Sequence, residues 1–447
     1  MHPTLSTFSD EWQVVLQSFR SSPHLCELKA FRDLFICDSR FRADLAANLN
    51  SALRSEFPLL TLSDVSSLLP TSFFESSKTE IVPSNLNQFF LNILGLEQRY
   101  RNFLKSLQPS LSSWRDWRLS QINRLRMDDP SYRCTQITHI PFAIELTEGC
   151  SGACRFCGLS APPLSTNIPR FEQNALLLQS ILSDLLVSAG SSAVSGSLYW
   201  ATDPFDHPEY ESYARVFRDV LGLWPITTTA LSESQLGRLK GFIQLRSEGH
   251  DRPWGLRCSL RSKTAFHTLY SKLSHVERAS LVLIPQYPGS LSSQAVAGRS
   301  FHEADVLSQN SLGGTIACVS GFLVSIPRQS ISLITPCIAE PNHPNGYRTL
   351  KTVSFTPNSF QRQLASIMDL FPCPSVDLNT FLSLTIDSSQ FKLFSCSSCP
   401  DLLQKMTGAP FTLNSLYSLL PSGVNLDEVF QCSLAMLQSG ALNVVKL

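Results

Sequence analysis

Between Phe8 and Leu125 apolar residues recur three and four positions apart, in EWQVVLQSF, LKAFRDLF and LNQFFLNILGL. That period puts them on one face of successive helices and predicts a helical N-terminal domain over residues 1–135. Near its end, WRDWRLSQINRLRM is both aromatic and basic. The plainer reading is a linker helix that packs Trp114 and Trp117 and solvates its arginines. The alternative is a surface for acidic peptide.

From Ile140 the period changes, and short β-rich runs alternate with helical stretches. The strands predicted are IPFAIELT, GSLYWATDP, PITTTALS, GLRCSLRS, ASLVLIPQ and TIACVSGFLV. Between them lie the helical stretches EQNALLLQSILSDLLVS, PEYESYARVFRDVLG, SESQLGRLKGFIQL and KTAFHTLYSKLSHVE. Such alternation predicts an α/β fold with a parallel sheet. Six strands are too few for a closed eight-fold barrel and suit a partial (β/α)6 barrel over residues 136–340. In such a sheet ligands sit at the carboxyl ends of the strands.

Residues 341–394, rich in Pro, Asn and Ser, read as an irregular extension. Residues 395–447 close with helix, turn, helix and short strand, much like a small winged-helix module. That tail has almost no Lys or Arg to neutralise phosphate, so peptide docking or a structural role fits it better than nucleic acid.

Charge changes the picture little. Lys plus Arg (36) equals Asp plus Glu (36), which removes any whole-molecule reason to expect a nucleic-acid or anionic-membrane partner. The opening MHPTLSTFSDEW lacks the basic start and apolar run of a secretory signal, and apolar stretches elsewhere break before membrane-spanning length, so the expectation is cytoplasmic. In that compartment the 13 cysteines are free thiols or metal ligands rather than a disulfide framework. Cys26, Cys37, Cys134 and Cys432 sit singly in apolar or helical contexts and read as small buried hydrophobes.

The strong chemical signal is ELTEGCSGACRFCGLSA, where Cys150, Cys154 and Cys157 have the spacing C-x3-C-x2-C just after the first predicted strand. A loop with these spacings can wrap three thiolates around three corners of a four-iron, four-sulfur cube, and Gly149, Gly152 and Gly158 let the backbone bend there. The fourth iron is then left without a protein ligand. A structural zinc site, the main rival, normally needs four closed ligands, and none completes the set nearby. His139, the nearest histidine, lies before the strand.

The triad, with Phe156 just before its last cysteine, resembles the signature loop of the radical SAM superfamily. The resemblance implies a partial six-strand barrel and S-adenosylmethionine chelated on the open iron of a [4Fe-4S] cluster. It also implies one electron, from a donor such as flavodoxin or ferredoxin, releasing a 5'-deoxyadenosyl radical. Where many members carry a Gly-Gly-Glu-like motif, this chain has Ala201-Thr202-Asp203-Pro204. Asp203 either supplies that carboxylate or is a turn residue before proline. Ser259 and Arg261, at the end of the fourth predicted strand, stand where members often contact the SAM ribose and carboxylate. Alternation in GLRCSLRS puts Arg257, Ser259 and Arg261 on one face, so one or two are either ligand contacts or solvated.

More narrowly, THIPFAIELTEGCSGACRFCGLSA, LYWATDPFDHPEY and TIACVSGFLVSIPRQSISLITPC are similar to radical SAM peptide epimerases acting on proteusin-type precursors, and FRDLFICDSRFRADL more loosely so. That likeness implies conversion of L- to D-residues in a ribosomally made precursor peptide carrying a leader. A Cα hydrogen is taken, and a cysteine thiol returns one from the opposite face. Cys258, Cys318 and Cys337 lie on or near predicted strands, with Cys373 in an irregular region. Cys337, ending the strand in LITPC, is the first choice of donor and Cys373 the second; a buried packing role is the alternative. Cys396 and Cys399 form a lone C-x2-C and are left unassigned. Another radical SAM peptide modification, methylation or cross-linking, and a non-catalytic, metal-stapled peptide-binding protein remain as competing readings.

Overall fold

The computed structural model describes residues 4–70, 82–128, 137–292, 297–300, 315–369, 381–384, 396, 399–439 and 441–444. The chain opens with α1 (Leu5–Ser21), α2 (Pro23–Cys37), α3 (Ser39–Ala47) and α4 (Leu49–Glu56), joined by single residues. Ser22, Asp38 and Asn48 each end one helix and start the next, accepting from Leu25 N, Arg40 N and Ser51 N. The short α5 (Leu62–Val65) and the long α6 (Asn85–Ser106) and α7 (Ser112–Asp128) complete the helical part.

In α7, Trp114 and Trp117 are buried as the packing alternative requires, but two of its arginines are not solvated. Arg118 and Arg124 are each 1% exposed. Arg118 donates to the carbonyls of His139, Thr138 and Leu107, and Arg124 to that of Pro336. Arg118 thus ties α7 to the amino end of the first strand and Arg124 ties it to Pro336, which no periodicity argument could foresee.

The sheet strands are β1 (Ile140–Glu145), β2 (Thr227–Thr229), β3 (Leu256–Leu260), β4 (Leu281–Pro285), β5 (Val319–Ser325), β6 (Ser330–Pro336) and β7 (Tyr347–Ser354). The intervening helices are α8 (Phe171–Ala189), α9 (Tyr210–Leu221), α10 (Leu236–Arg246), α11 (Lys263–Lys272) and α12 (His275–Ala279). β2, β3 and β4 pair in parallel, β1 pairs in parallel with β5, and β6 and β7 continue antiparallel from β5. Ser197 bridges Ala143 on one side and Ile226 on the other, so the two sheets meet through one residue. The architecture is mixed α/β with open sheets.

Three expectations are corrected. GSLYWATDP supplies that single bridge rather than a strand: Gly196 is wedged under the Phe142 ring, where a Cβ would stand 2.4 Å away, and Ala201 turns the chain with φ +49. The sixth predicted strand, now β5, pairs with β1, so the parallel strands divide between two sheets rather than forming one. Within 341–394, residues Tyr347–Ser354 form an edge strand and Phe360–Met368 a helix. That strand is mostly exposed, so it lacks the apolar alternation that betrays a half-buried one.

Helices cover the convex face. Phe142, Ile144, Cys258, Leu260, Phe322 and Val324 share one continuous core with α1, α2, α6 and α8. The Trp12 and Trp254 rings pack 5.0 Å apart, joining α1 to the segment before β3. At the chain's end, β8 (Phe381–Leu384), β9 (Phe411–Thr412) and β10 (Leu442–Val444) form an antiparallel sheet in the order β10-β8-β9. With the helices Leu413–Tyr417 and Leu426–Ser439 it surrounds a core of its own.

Candidate metal centre

β1 runs out of the buried sheet at Glu145, which Arg328 from the turn after β5 holds in an ion pair. Five residues later the cysteine loop begins, so it sits at the carboxyl end of the first strand. The loop closes on itself: Cys150 N donates to Pro162 O at 2.9 Å and Ser165 N to Glu148 O at 2.8 Å. Gly149 makes this closure possible with φ +77, because a Cβ there would stand 2.1 Å from Pro163 O.

Neighbouring elements pin the loop from outside. Asp206 accepts from Ser151 N (2.9 Å) and Ser151 Oγ (2.5 Å). Thr202 Oγ1 meets Thr147 Oγ1 at 2.7 Å. Arg299 binds the loop three times, through Nη1 to Cys154 O at 3.0 Å, Nη2 to Ala161 O, and its backbone N to Cys157 O at 2.9 Å. Arg261, just past β3, reaches Gly152 O at 3.4 Å.

All three thiols are half-buried. Cys150 Sγ accepts from Gly152 N at 3.3 Å and Cys157 Sγ from Ala161 N at 3.5 Å. A Cβ on Gly152 would lie 3.3 Å from Cys150 Sγ and 3.4 Å from Cys154 Sγ, so only glycine leaves the space between them clear. Burial pushes the Cys150 thiol up to about 12. It raises Cys154 as well, against the pull of Arg261 and Arg299. Metal ligation requires the thiolates, so bound cations must supply what burial withholds.

Zn–S bonds of about 2.3 Å would bring tetrahedral ligand sulfurs within roughly 4 Å of one another. Among the described residues no three Cys, His, Asp or Glu side chains converge for one ion. The loop offers three thiols, with amide donors on two of the sulfurs and two guanidiniums bonded to its carbonyls, the residue types that hold thiolate-ligated metals and clusters.

Beside the loop the sheet presents its concave face. Thr228, Arg257 and Val282 are register partners and therefore share a side; Ser259 and Ile284 continue it, and all five are half-buried. Toward β1 and β5 this face turns apolar, with Ala143, Trp200, Val319 and Leu323 in a small separate cluster. Cys318 packs against that cluster and stands beside Arg257, which also neighbours Tyr199; burial raises the thiol to about 11.

The remaining predicted residues divide. Ser259 faces the concavity and Arg261 reaches the loop. Phe156 is half-buried on the loop, and Gly158 lies against Ile316, where a Cβ would stand 2.5 Å away. Asp203 is 4% exposed and takes the geometry of the turn alternative. Its oxygens accept from Phe205 N (2.9 Å), Thr229 Oγ1 (2.9 Å) and Ala230 N (2.6 Å), fastening the end of β2.

Cys337 does not stand where its choice assumed. β6 runs antiparallel to β5, so Pro336 and Cys337 come to the amino end of β1, away from the cysteine loop's strand end. There the thiol is 1% exposed, near Arg348 and Arg124. Cys373 lies outside the described residues. Cys258 faces the convex core. Cys396 and Cys399 are buried in the C-terminal core, where Cys399 Sγ donates to Asp401 Oδ1 at 3.2 Å. Sequence reasoning missed Arg299, Asp206 and Arg328. They bind the loop or the strand end before it across long separations; the segments LYWATDPFDHPEY around Asp206 and TIACVSGFLVSIPRQSISLITPC around Arg328 carried some signal, and Arg299 carried none.

No family model matches the chain, and no solved structure matches it. It is similar to the uncharacterized protein y4wI of Sinorhizobium fredii, 31% identical over 300 residues. The match spans 63% of this chain and 57% of that relative's length.

Proposed function

We propose that the chain is a radical SAM enzyme acting on a ribosomally made peptide, and that it epimerises selected residues. One observation carries the reading: a C-x3-C-x2-C loop at the carboxyl end of the first parallel strand, fastened by Arg299, Asp206 and Arg261 beside a half-buried sheet face. That surrounding is consistent with a partial barrel of the superfamily type. Cys150, Cys154 and Cys157 would hold the [4Fe-4S] cluster. With S-adenosylmethionine on its open iron, the cluster supplies a 5'-deoxyadenosyl radical able to take a peptide Cα hydrogen.

The chain's own residues then have separate tasks. Ser151 and Asp206 keep the loop on the strand end, and Arg261 and Arg299 place positive charge behind an assembly of thiolates. Ser259 offers a hydroxyl, and Arg257 a guanidinium, on the face where adenosine and peptide would lie. Cys318 precedes β5 at the same amino end of the sheet as Cys337, but among the described cysteines outside the loop it is the one that packs against the apolar cluster on that face, which favours it over Cys337 as hydrogen donor. A flavodoxin or ferredoxin would deliver one electron for cleavage of S-adenosylmethionine and a second, taken up with a proton, to restore the donor cysteine from its thiyl radical to the thiol.

Anaerobic reconstitution followed by iron and sulfide analysis and electron paramagnetic resonance tests the cluster. Four irons per chain are expected, lost in Cys154→Ala. With dithionite and S-adenosylmethionine the loaded protein should release 5'-deoxyadenosine. With precursor peptide in heavy water, each altered residue should gain one deuterium at otherwise unchanged mass. A methyl increment or loss of two hydrogens would replace epimerisation by methylation or cross-linking. Zinc in place of iron would leave a metal-stapled binding protein.

A further inference from the structure

At the opposite, amino end of the sheet the structure buries more positive than negative charge. Arg246 and Arg252 are 1% and 0% exposed and crowd the same spot beneath β3, where a Cβ on Gly255 would stand 2.4 Å from Arg246 Nη2 and 2.6 Å from Arg252 Cγ. Asp251 pairs with Arg246 and caps the backbone N of Arg252. The guanidinium of Arg252 makes one hydrogen bond, Nη1 to Val194 O at 3.1 Å. Arg252 Nε and Nη2, Arg246 Nε and the Tyr100 hydroxyl are all buried without a partner, and Tyr100 is 3% exposed. Tyr100 and Arg252 face each other, yet no well-formed hydrogen bond joins them.

Orphaned buried donors cost about 1–3 kcal/mol each, and an uncompensated buried cation costs several. The three unpaired guanidinium nitrogens in one cluster therefore call for an acceptor beyond the Tyr100 hydroxyl that faces Arg252. Next to them is a half-open cavity of about 150 Å³ lined by Glu97, Tyr100, Arg101, Thr138, Pro253 and Arg257, among others. Glu97 is already paired with Arg101 at 2.5 Å. Arg257 has no hydrogen-bonded or ion-paired partner among the described residues. The wall and the layer behind it thus hold Arg101, Arg246, Arg252 and Arg257 against Glu97 and Asp251, an excess of two positive charges. Pockets that enclose drug-sized ligands run to roughly 300–1,000 Å³, so this one suits a small ion and not a nucleotide.

We propose that this cavity binds a small oxyanion, a phosphate or a carboxylate, between Tyr100 and Arg257 over the Arg246–Arg252 layer. Neither the cysteine loop nor the proposed radical chemistry enters the argument. Arg257 belongs to both places, since it also stands beside Cys318 and Tyr199 on the concave face.

Isothermal titration of the full chain with inorganic phosphate, and separately with acetate, at constant ionic strength tests this. Saturable one-site binding is expected in the millimolar range or tighter, weakened at least tenfold in Arg257→Gln and in Tyr100→Phe. Both variants remove polar groups at the cavity wall, and their melting curves establish that they are folded. Phosphate binding alone points to free phosphate or a phosphate ester. Acetate binding alone points to a carboxylate source. Binding of neither, or binding equally tight in both variants, overturns the proposal.

Discussion

Gly149→Ala is the sharpest test of how the cysteine loop is built. Gly149 has φ +77, a conformation that costs an L-residue about 1–2 kcal/mol. The added methyl would also stand 2.1 Å from Pro163 O, 2.6 Å from Pro163 C and 2.8 Å from Pro162 O, all backbone atoms. None can swing aside as a side chain would, so residues 162–163 must move. That movement breaks the Cys150 N to Pro162 O bond, about 1 kcal/mol more. Urea denaturation should show a loss of about 2–3 kcal/mol in total. The natural control is Gly241→Ala, in the exposed interior of α10 with nothing within 4 Å of the new methyl. There helix propensity alone acts and should stabilise by about 0.8–1 kcal/mol. Iron bound after anaerobic reconstitution should fall in the first variant and stay at parent level in the second. If Gly149→Ala is as stable as the parent, the loop does not close as described.

Three further outcomes follow from buried groups. Burial raises the Asp203 carboxyl to about 6, above its ordinary 3.8. The stability it contributes is therefore present below pH 3.8 and lost as pH rises to about 6, by about 3 kcal/mol. The parent should lose that much relative to Asp203→Asn between those limits, and parallel pH profiles would refute the burial argument. Lys29 and Asp33 pair at 2.6 Å with side chains 2% and 4% exposed. Lys29→Met strands the carboxylate and should cost about 3–5 kcal/mol in denaturant melts. The double variant Lys29→Met/Asp33→Leu should recover most of it, whereas an equal loss in both would place the damage in packing. Cys318→Ser should still release 5'-deoxyadenosine but stop deuterium incorporation into peptide, while Cys337→Ser should keep both; the reverse pattern would return the donor role to Cys337.

Much of this molecule was legible locally. Helix periods and strand runs located α1, α2, α6 and α8 to α11, because burial of one face imposes 3.6- or two-residue spacing wherever the partner lies. Alternation in GLRCSLRS put Arg257 and Ser259 on one side of β3, and they do share the concave face. The three-thiol loop was readable because its cysteines lie within eight residues at the end of one strand. β7 was invisible, since an exposed edge strand needs no apolar pattern.

Pairing was the part that the amino-acid order could not settle. TIACVSGFLV reads as a strand in any sheet, but its place beside β1 depends on the whole intervening chain. With that place comes the antiparallel return of β6, which carries Cys337 to the far end of the sheet. Arg299, 145 residues from Cys154, and Asp206, 55 from Ser151, acquire roles only through such contacts. Local propensity is written in neighbours along the chain, while strand order and long-range hydrogen bonds arise from how the assembled layers bury their faces.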